Sequence, residues 1–326
     1  MPSPQIAEQL NKYLSDAHSI ERQALVQMRL APRLAGTPRL AAAFREHQAE
    51  TEEHERLVRE RMLARGATPS TAKDLVMAAG GVGFALFART QPDTPGKLTS
   101  HAFSYEHLEL ASYEMLRRVA ERGEDAATAD VARRIADQER AMGERLAASF
   151  DDAVEASLRA GGKDDLGTQL VAYLRDAHAI ETQAEKLLEQ ASEAGGPAEL
   201  ERAFADHLEE TRAQRALVRD RLEAHGGGPS RLKDTALKVG ALNWGTFFQA
   251  HPDTPGKLAV FAYAFEHLEI GGYEQLTRVA RRAGDAETAA MAEGIQPDER
   301  AAAEKLYALF EPALDASLEG YTQKAS

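Results

Sequence analysis

The feature that most constrains this chain is an internal repeat with a long period. The segment YLSDAHSIERQA at residues 13–24 returns as YLRDAHAIETQA at residues 173–184, and most of the chain aligns with itself at this offset without gaps. A period of this length indicates a duplicated domain, because solenoid repeats are only about 20–50 residues long. The sequence therefore predicts two copies of one fold, over residues 1–160 and 161–326. The glycine-rich, charged stretch at 159–165 is predicted to be a short linker.

Each copy is predicted to be all-α. Apolar residues recur at helical spacing, and no segment alternates as a β-strand does. In copy 1, prolines and glycines divide the pattern into four long helices, with a shorter apolar segment between the second and the third. The predicted helices, including the short one at 70–89, are 4–31, 37–65, 70–89, 95–122 and 126–157. Four long helices with a short extra helix in the helix 2–3 crossover make a four-helix bundle.

Charge and composition exclude several classes of function. Acidic residues outnumber basic ones by 52 to 39, whereas a protein that binds a nucleic-acid backbone needs a basic face. The absence of cysteine excludes disulfides and thiolate metal ligands. The most apolar uncharged stretch, Leu75 to Ala88, is too short to span a bilayer, and the N-terminus lacks a signal-peptide pattern. We therefore expect a cytoplasmic protein with no nucleic-acid or membrane partner.

Several glutamates lie on the apolar faces of the predicted helices. Glu21, for example, has Leu14 and Met28 seven residues to either side, a spacing that returns to the same helix face. Helical position selects five glutamates in each copy, namely Glu21, Glu50, Glu106, Glu109 and Glu139, and Glu181, Glu210, Glu266, Glu269 and Glu299. An unpaired buried carboxylate is costly, so these acids must be neutralised, paired or metal-bound. Salt bridges with arginines such as Arg22 or Arg140 are the simplest alternative to a metal.

Inward glutamates from all four helices of a bundle match the ligand set of a dinuclear metal centre. Ions such as iron and manganese take oxygen ligands, and carboxylates can bridge a pair of ions. Histidines commonly complete such a centre, and His54 lies one turn beyond Glu50 on the same helix. Four further histidines are predicted as supporting or alternative ligands, namely His18, His47, His178 and His207. We expect the carboxyl groups to converge around two iron or manganese ions per bundle, with no organic cofactor.

The order of these motifs is similar to that of a known family. DAHxIExQ on the first helix is followed by HxxExxxH or HxxExxxQ, by EHxExxxYExL, and by a last helix with DxER or DER. The chain thus resembles the ferritin-like superfamily, and in particular the YciE/YciF-like group of bacterial stress-associated proteins. The resemblance implies a rubrerythrin-like bundle with a di-iron or di-manganese site, and a ferroxidase- or peroxidase-type oxidoreductase that uses O2 or peroxide. The alternative is a non-catalytic metal-binding protein, or a helical scaffold or interaction protein of the stress response.

Two differences between the copies predict unequal sites. Copy 2 has Gln214 where copy 1 has His54, and Pro297 stands two residues before Glu299. Because a proline disturbs the preceding helical turn, we expect Glu299 to be displaced by about an ångström or more. Copy 1 is therefore expected to bind metal more tightly than copy 2. The copies are also expected to pack as a pseudo-two-fold dimer within one chain, since a duplication tends to retain an ancestral isologous interface.

Overall fold

The chain forms helices throughout the part of it that is described. A computed structural model describes five ranges, 4–68, 94–160, 166–193, 196–228 and 254–325. Over these ranges the only regular secondary structure is helix. The chain divides into two compact units, Met1–Gly161 and Gly162–Ser326, which we call unit 1 and unit 2. The predicted all-α class with two helical bundles is confirmed.

Five helices are described in each unit, and the two sets correspond one to one. Unit 1 contains α1 (Pro4–Leu34), α2 (Pro38–Ala64), α3 (Thr94–Arg122), α4 (Ala126–Ala147) and α5 (Phe150–Ala160). Unit 2 contains α6 (Leu166–Glu193), α7 (Ala198–Ala224), α8 (Thr254–Ala283), α9 (Ala286–Ala308) and α10 (Phe310–Ala325). None of these helices is long and apolar enough to cross a membrane. The short crossover helix predicted at 70–89, and its counterpart in copy 2, lie outside the described residues.

Capping residues supplied by the sequence set several helix boundaries. Thr37 precedes α2 in an extended conformation, and its hydroxyl accepts a hydrogen bond from Leu40 N at 3.2 Å. Asp125 caps α4 by accepting from Thr128 N at 3.0 Å, and Asp285 caps α9 in the same way. Threonine and aspartate are favoured at this position because the first N–H groups of a helix have no partner within it.

One predicted helix is two helices in the structure. The sequence predicts a continuous helix over 126–157, but α4 and α5 divide this range. The backbone tightens at the junction, where Ser149 N donates to Leu146 O at 2.9 Å, three residues back rather than four. The next residue, Phe150, is in edge-to-face contact with Phe103 of α3, with ring centroids 5.4 Å apart. Apolar periodicity does not reveal this break, because the apolar stripe continues across it.

In each unit, four helices pack around one core. In unit 1, α1 contacts α2 and α3, while α4 contacts α2 and α3, and α5 packs on α3. The helices of unit 2 make the equivalent contacts. Leu14, Phe44, Met115 and Ile135, one from each of the first four helices, are fully buried. Each such side chain contributes about 1.5–3 kcal/mol on burial, which helps to offset the cost of placing charged groups in the same core.

Candidate metal centre

Two histidines of α2 point into the core of unit 1. His47 and His54 lie on the buried stripe of that helix together with Phe44 and Thr51, and both imidazoles are fully buried. Seven residues are close to two helical turns, so both side chains project from the same face. Their ring centroids are 6.4 Å apart. The helix thus presents two nitrogen donors side by side.

The Nε2 atom of His47 lies among carboxylates from α3 and α4. It is 2.9 Å from Glu106 Oε2 and 3.4 Å from Glu139 Oε2. His47, Glu106, Glu109 and Glu139 each offer one ligand atom within 4.8 Å of the others. Glu106 and Glu109 are both buried on α3, where three residues are nearly one turn. We call these four residues the His47 group.

A second group forms around His54. Its Nδ1 atom is 2.8 Å from Glu139 Oε1 and 3.7 Å from Glu21 Oε1. These three residues, the His54 group, also offer ligand atoms within 4.8 Å of one another. Glu139 belongs to both groups, and one of its oxygens is close to each imidazole. The structure therefore brings four carboxylates and two imidazoles together in the core of unit 1.

Most of the atoms that face one another in the two groups lack hydrogen bonds. Neither oxygen of Glu106 or of Glu139 has a hydrogen-bond partner, and neither His47 Nε2 nor His54 Nδ1 has one. Buried polar atoms in this state are rare, because each costs about 1–3 kcal/mol. Short separations between donor atoms without aligned hydrogen bonds are the arrangement expected around a shared cation. The two groups could therefore hold metal ions.

Salt bridges with arginine or lysine do not account for the buried acids of unit 1. Arg140, the arginine nearest in sequence to Glu139, pairs instead with Asp137 at 2.7 Å. Within the described residues, no arginine or lysine forms an ion pair with the four acids of the two groups. Two imidazolium ions would neutralise only half of four carboxylates. Protons or metal ions must supply the remaining positive charge.

The pKa values in the groups are shifted by burial and by mutual charge. Burial raises the pKa of Glu21 to about 8 and that of Glu106 to about 7, although the imidazoles oppose both shifts. Burial acts in the same direction on Glu139, but His47 and His54 outweigh it and lower the pKa of that carboxyl. Several of these oxygens therefore carry protons near neutral pH. Metal binding would release them.

The second nitrogen of each imidazole is held by a hydrogen bond to a side chain of α2 or of α4. His47 Nδ1 donates to Glu50 Oε2 at 3.0 Å, and Arg145 Nη2 donates to the same oxygen at 2.9 Å. These two hydrogen bonds lower the pKa of Glu50 to about 2, so it stays ionised. His54 Nε2 donates to Gln138 Oε1 at 3.2 Å. Such bonds fix the tautomer and leave His47 Nε2 and His54 Nδ1 as the nitrogens able to ligate.

The sequence predicts an inward Glu50, and this prediction is wrong. The residues seven positions before and after it, Ala43 and Leu57, are only half-buried, and the Glu50 side chain is 30% exposed. The buried stripe of α2 runs through His47 and His54 instead, and Glu50 lies at its edge. Glu50 belongs to neither group and acts as the acceptor that orients an imidazole.

Glu21 is held by a phenol from α3. The Tyr113 hydroxyl donates to Glu21 Oε1, and both side chains are fully buried. The other oxygen, Glu21 Oε2, has no hydrogen-bond partner. Burial raises the pKa of Tyr113 well above its usual value, so the phenol keeps its proton and continues to donate. This bond fixes the orientation of the Glu21 carboxyl beside His54.

Within its described residues, unit 2 repeats only the first group. His207, Glu266, Glu269 and Glu299 offer ligand atoms within 4.8 Å of one another, and we call them the His207 group. His207 Nε2 is 2.8 Å from Glu266 Oε2 and 3.5 Å from Glu299 Oε2. Burial opposes the charged form of His207, but these acids raise its pKa to about 10. Glu181 is buried outside this group and accepts a hydrogen bond from Tyr273.

The sequence also predicts that Pro297 displaces Glu299, and this prediction is wrong. Helix α9 continues through Pro297, and Glu299 is fully buried. The separation of 3.5 Å between His207 and Glu299 matches the 3.4 Å between His47 and Glu139. Pro297 lies on the exposed face of α9. The backbone N–H that proline lacks, and the clash of its ring with the preceding turn, are therefore on the solvent side of the helix.

The remaining predicted residues lie outside the groups. His18 is buried, and its Nε2 donates to Glu55 Oε1 at 3.1 Å. His178 is buried at the equivalent place in α6. Glu210 accepts from His207 Nδ1 at 3.1 Å, as Glu50 does from its histidine, but its side chain is 55% exposed. The contact of Gln138 with His54 could not be predicted from the sequence, because no local pattern marks it and it depends on how α2 and α4 face each other.

The chain is thus a tandem pair of all-helical bundles, and the carboxylate and imidazole groups in their cores could hold metal ions. A family model described as "Domain of unknown function (DUF892)" matches the chain twice, over residues 5–159 and 165–319. The chain belongs to this family, the ferritin-like YciF family, and carries its domain in tandem. No solved structure matches the chain.

Proposed function

We propose that the chain is a di-metal carboxylate protein that oxidises Fe(II) with O2 or peroxide, or that consumes peroxide, in defence against oxidative stress. The observation that carries the proposal is the pair of groups that share Glu139. Four buried carboxylates and two imidazoles form the donor set that bundle proteins use for di-iron and di-manganese centres.

The donors of unit 1 divide between two ions. His47 Nε2, Glu106 and Glu109 would hold one ion, and His54 Nδ1 and Glu21 would hold the other. Glu139, which has one oxygen close to each imidazole, would be a donor that the two groups share. Carboxylate oxygens and imidazole nitrogens suit iron and manganese. When bound, such a pair of ions supplies electron transfer to O2 or peroxide, which the side chains alone do not provide.

The residues of the chain exclude water from the site and orient the donors. The six donors are at most 1% exposed, so bulk water is excluded from the site. Tyr113 orients Glu21, while Glu50 and Gln138 orient the two imidazoles. Because burial raises the pKa of Glu21 to about 8, its carboxyl group holds a proton near neutral pH in the metal-free chain. Binding of a metal ion to this carboxyl group would release that proton.

A surface groove lies beside the residues that orient the two imidazoles. Its volume is about 610 Å³, and Glu50, Gln138 and Arg145 are part of its lining. Two further acids, Asp137 and Glu144, also line it. An acidic lining raises the local concentration of cations, in keeping with the formal net charge of -13 on the chain. The groove is thus suited to the approach of Fe(II) as a substrate.

The proposal is tested by metal content and by turnover. Protein purified without chelator should contain iron or manganese, measured by elemental analysis. The metal-free chain, loaded with Fe(II) under anaerobic conditions and mixed with O2 or peroxide, should develop ferric absorbance in a stopped-flow spectrometer. Glu139→Gln removes the shared donor and should abolish most binding and turnover. Asp130→Asn, at an exposed acid on the same helix, is the matched control and should change neither.

The outcomes separate the alternatives. Bound metal without oxidation of Fe(II) and without loss of peroxide would favour a non-catalytic metal-binding protein. Absence of metal together with absence of turnover would refute the proposal and favour a helical scaffold.

A further inference from the structure

The two units differ at one donor position of the candidate metal centre. Gln214 of α7 takes the place that His54 has in α2, on a buried stripe where His207 matches His47. Gln214 is 4% exposed, and neither its Oε1 nor its Nε2 has a hydrogen-bond partner. The amide thus occupies the position of the imidazole without reproducing its contacts.

The substitution coincides with the loss of one group. Unit 1 has a His47 group and a His54 group, whereas the described residues of unit 2 form only the His207 group. The acids that would complete a second group, Glu181 and Glu299, are both fully buried. Each of them has at least one oxygen without a hydrogen-bond partner. The imidazole is therefore the donor that unit 2 lacks.

An amide is a weak replacement for imidazole as a ligand of iron. Imidazole nitrogen is a good donor for iron and the later first-row metals. An amide nitrogen carries its protons and does not ligate, so only the uncharged carbonyl oxygen of Gln214 is available. A site with two glutamates and this oxygen has lost its only nitrogen donor.

A second difference places positive charge beside the altered position. Arg215 stands where unit 1 has Glu55. It forms an ion pair with Glu185. Burial raises the pKa of Glu181, and the positive charge of Arg215 acts in the opposite direction. In unit 1, by contrast, Glu55 adds a carboxylate, 3.1 Å from His18. A guanidinium whose charge acts on Glu181 disfavours a second cation beside that acid.

We propose that unit 2 binds a single metal ion, held by the His207 group, while unit 1 binds two. This inference rests on the proposed function, because it assumes the same metals. The full chain then binds three ions, one for each group of donors. Only unit 1 places two ions side by side, so two-metal chemistry is confined to that unit. Unit 2 keeps a bound ion without a partner ion.

Counting bound Fe(II) in the full chain and in two reciprocal variants tests this inference. The metal-free chain is loaded anaerobically with Fe(II) and desalted, and the ratio of iron to protein is measured by elemental analysis. We expect three ions per wild-type chain. His54→Gln makes unit 1 like unit 2 and should lower the count to two. Gln214→His combined with Arg215→Glu makes unit 2 like unit 1 and should raise it to four.

The possible counts separate this inference from the proposed function. A wild-type count of four or of two would overturn the inference while leaving metal binding intact. A count that stays at three in either variant, with helix content unchanged by circular dichroism, would also overturn it. If one variant fails to fold, the reciprocal variant still decides. Iron absent from every form of the chain would refute the proposed function, and this inference with it.

Discussion

Replacing Glu50 with glutamine tests whether this residue orients His47 or binds metal itself. Its carboxylate accepts hydrogen bonds from His47 Nδ1 at 3.0 Å and from Arg145 Nη2 at 2.9 Å. Glutamine keeps the size of the side chain and an accepting oxygen but removes the charge. Loss of such an outer partner typically weakens metal binding by about 10–100-fold, which is about 1.4–2.7 kcal/mol. We expect Glu50→Gln to lower the affinity by this factor without lowering the number of bound ions.

The assay is anaerobic competition for Fe(II) between the chain and a chelator of known affinity, at fixed pH. His47→Ala, which removes a donor, should lose a bound ion in the same assay. Glu210→Gln is the matched control in unit 2, where Lys305 replaces the arginine and pairs with Asp206 at 3.1 Å. Because Glu210 is 55% exposed, we expect a change of less than about tenfold there. Loss of a bound ion from Glu50→Gln would show that Glu50 is a ligand, and an unchanged affinity would refute the orienting role.

Three further changes test other parts of the structure. Tyr113→Phe removes the hydrogen bond to Glu21 and should weaken Fe(II) binding about tenfold in the chelator assay; an unchanged affinity would mean that the phenol only packs. Glu124 has φ 53°, where unit 2 has Gly284, so Glu124→Gly should stabilise unit 1 by about 0.5–1 kcal/mol. Slower hydrogen exchange of α3 and α4 amides in the full chain would show this, and faster exchange would contradict it. Asp125→Ala removes a helix cap and should cost about 1–2 kcal/mol at neutral pH. Against the effect of burial, hydrogen bonds from Thr128 and the nearby arginines lower the pKa of Asp125. The stabilisation is therefore present at neutral pH and is lost as the pH falls below about 4. An equal loss of exchange protection in the variant at about pH 3 and pH 7 would contradict this linkage.

Helical periodicity predicted the fold, because the fold depends on the spacing of apolar residues along each helix and on the internal repeat. The four acids that converge in unit 1 lie on stripes whose apolar neighbours are themselves buried, as Leu14 and Met28 are around Glu21. Their burial could therefore be predicted from the sequence. The same rule failed at Glu50, because its neighbours lie at the edge of the stripe. Half-exposed residues do not define which face of the helix is buried.

The parts of the site that the sequence could not provide are contacts between helices. The bond from Tyr113 to Glu21 joins residues 92 positions apart, and that from His54 to Gln138 joins residues 84 apart. Such pairs depend on the rotation of each helix about its axis, which spacing along one helix does not determine. The effect of Pro297 was misjudged for a related reason. A proline disturbs the backbone on its own face, and that face of α9 is turned to solvent.

The most direct test of the metal centre is to locate the metal in the full chain. Crystals grown anaerobically with Fe(II), and measured on both sides of the iron absorption edge, would show bound iron as anomalous difference peaks. We expect two peaks in unit 1, one beside His47 Nε2 and one beside His54 Nδ1, with Glu139 between them. Peaks confined to exposed acids, or no peak in the core of unit 1, would contradict the assignment of these buried carboxylates and imidazoles as metal ligands.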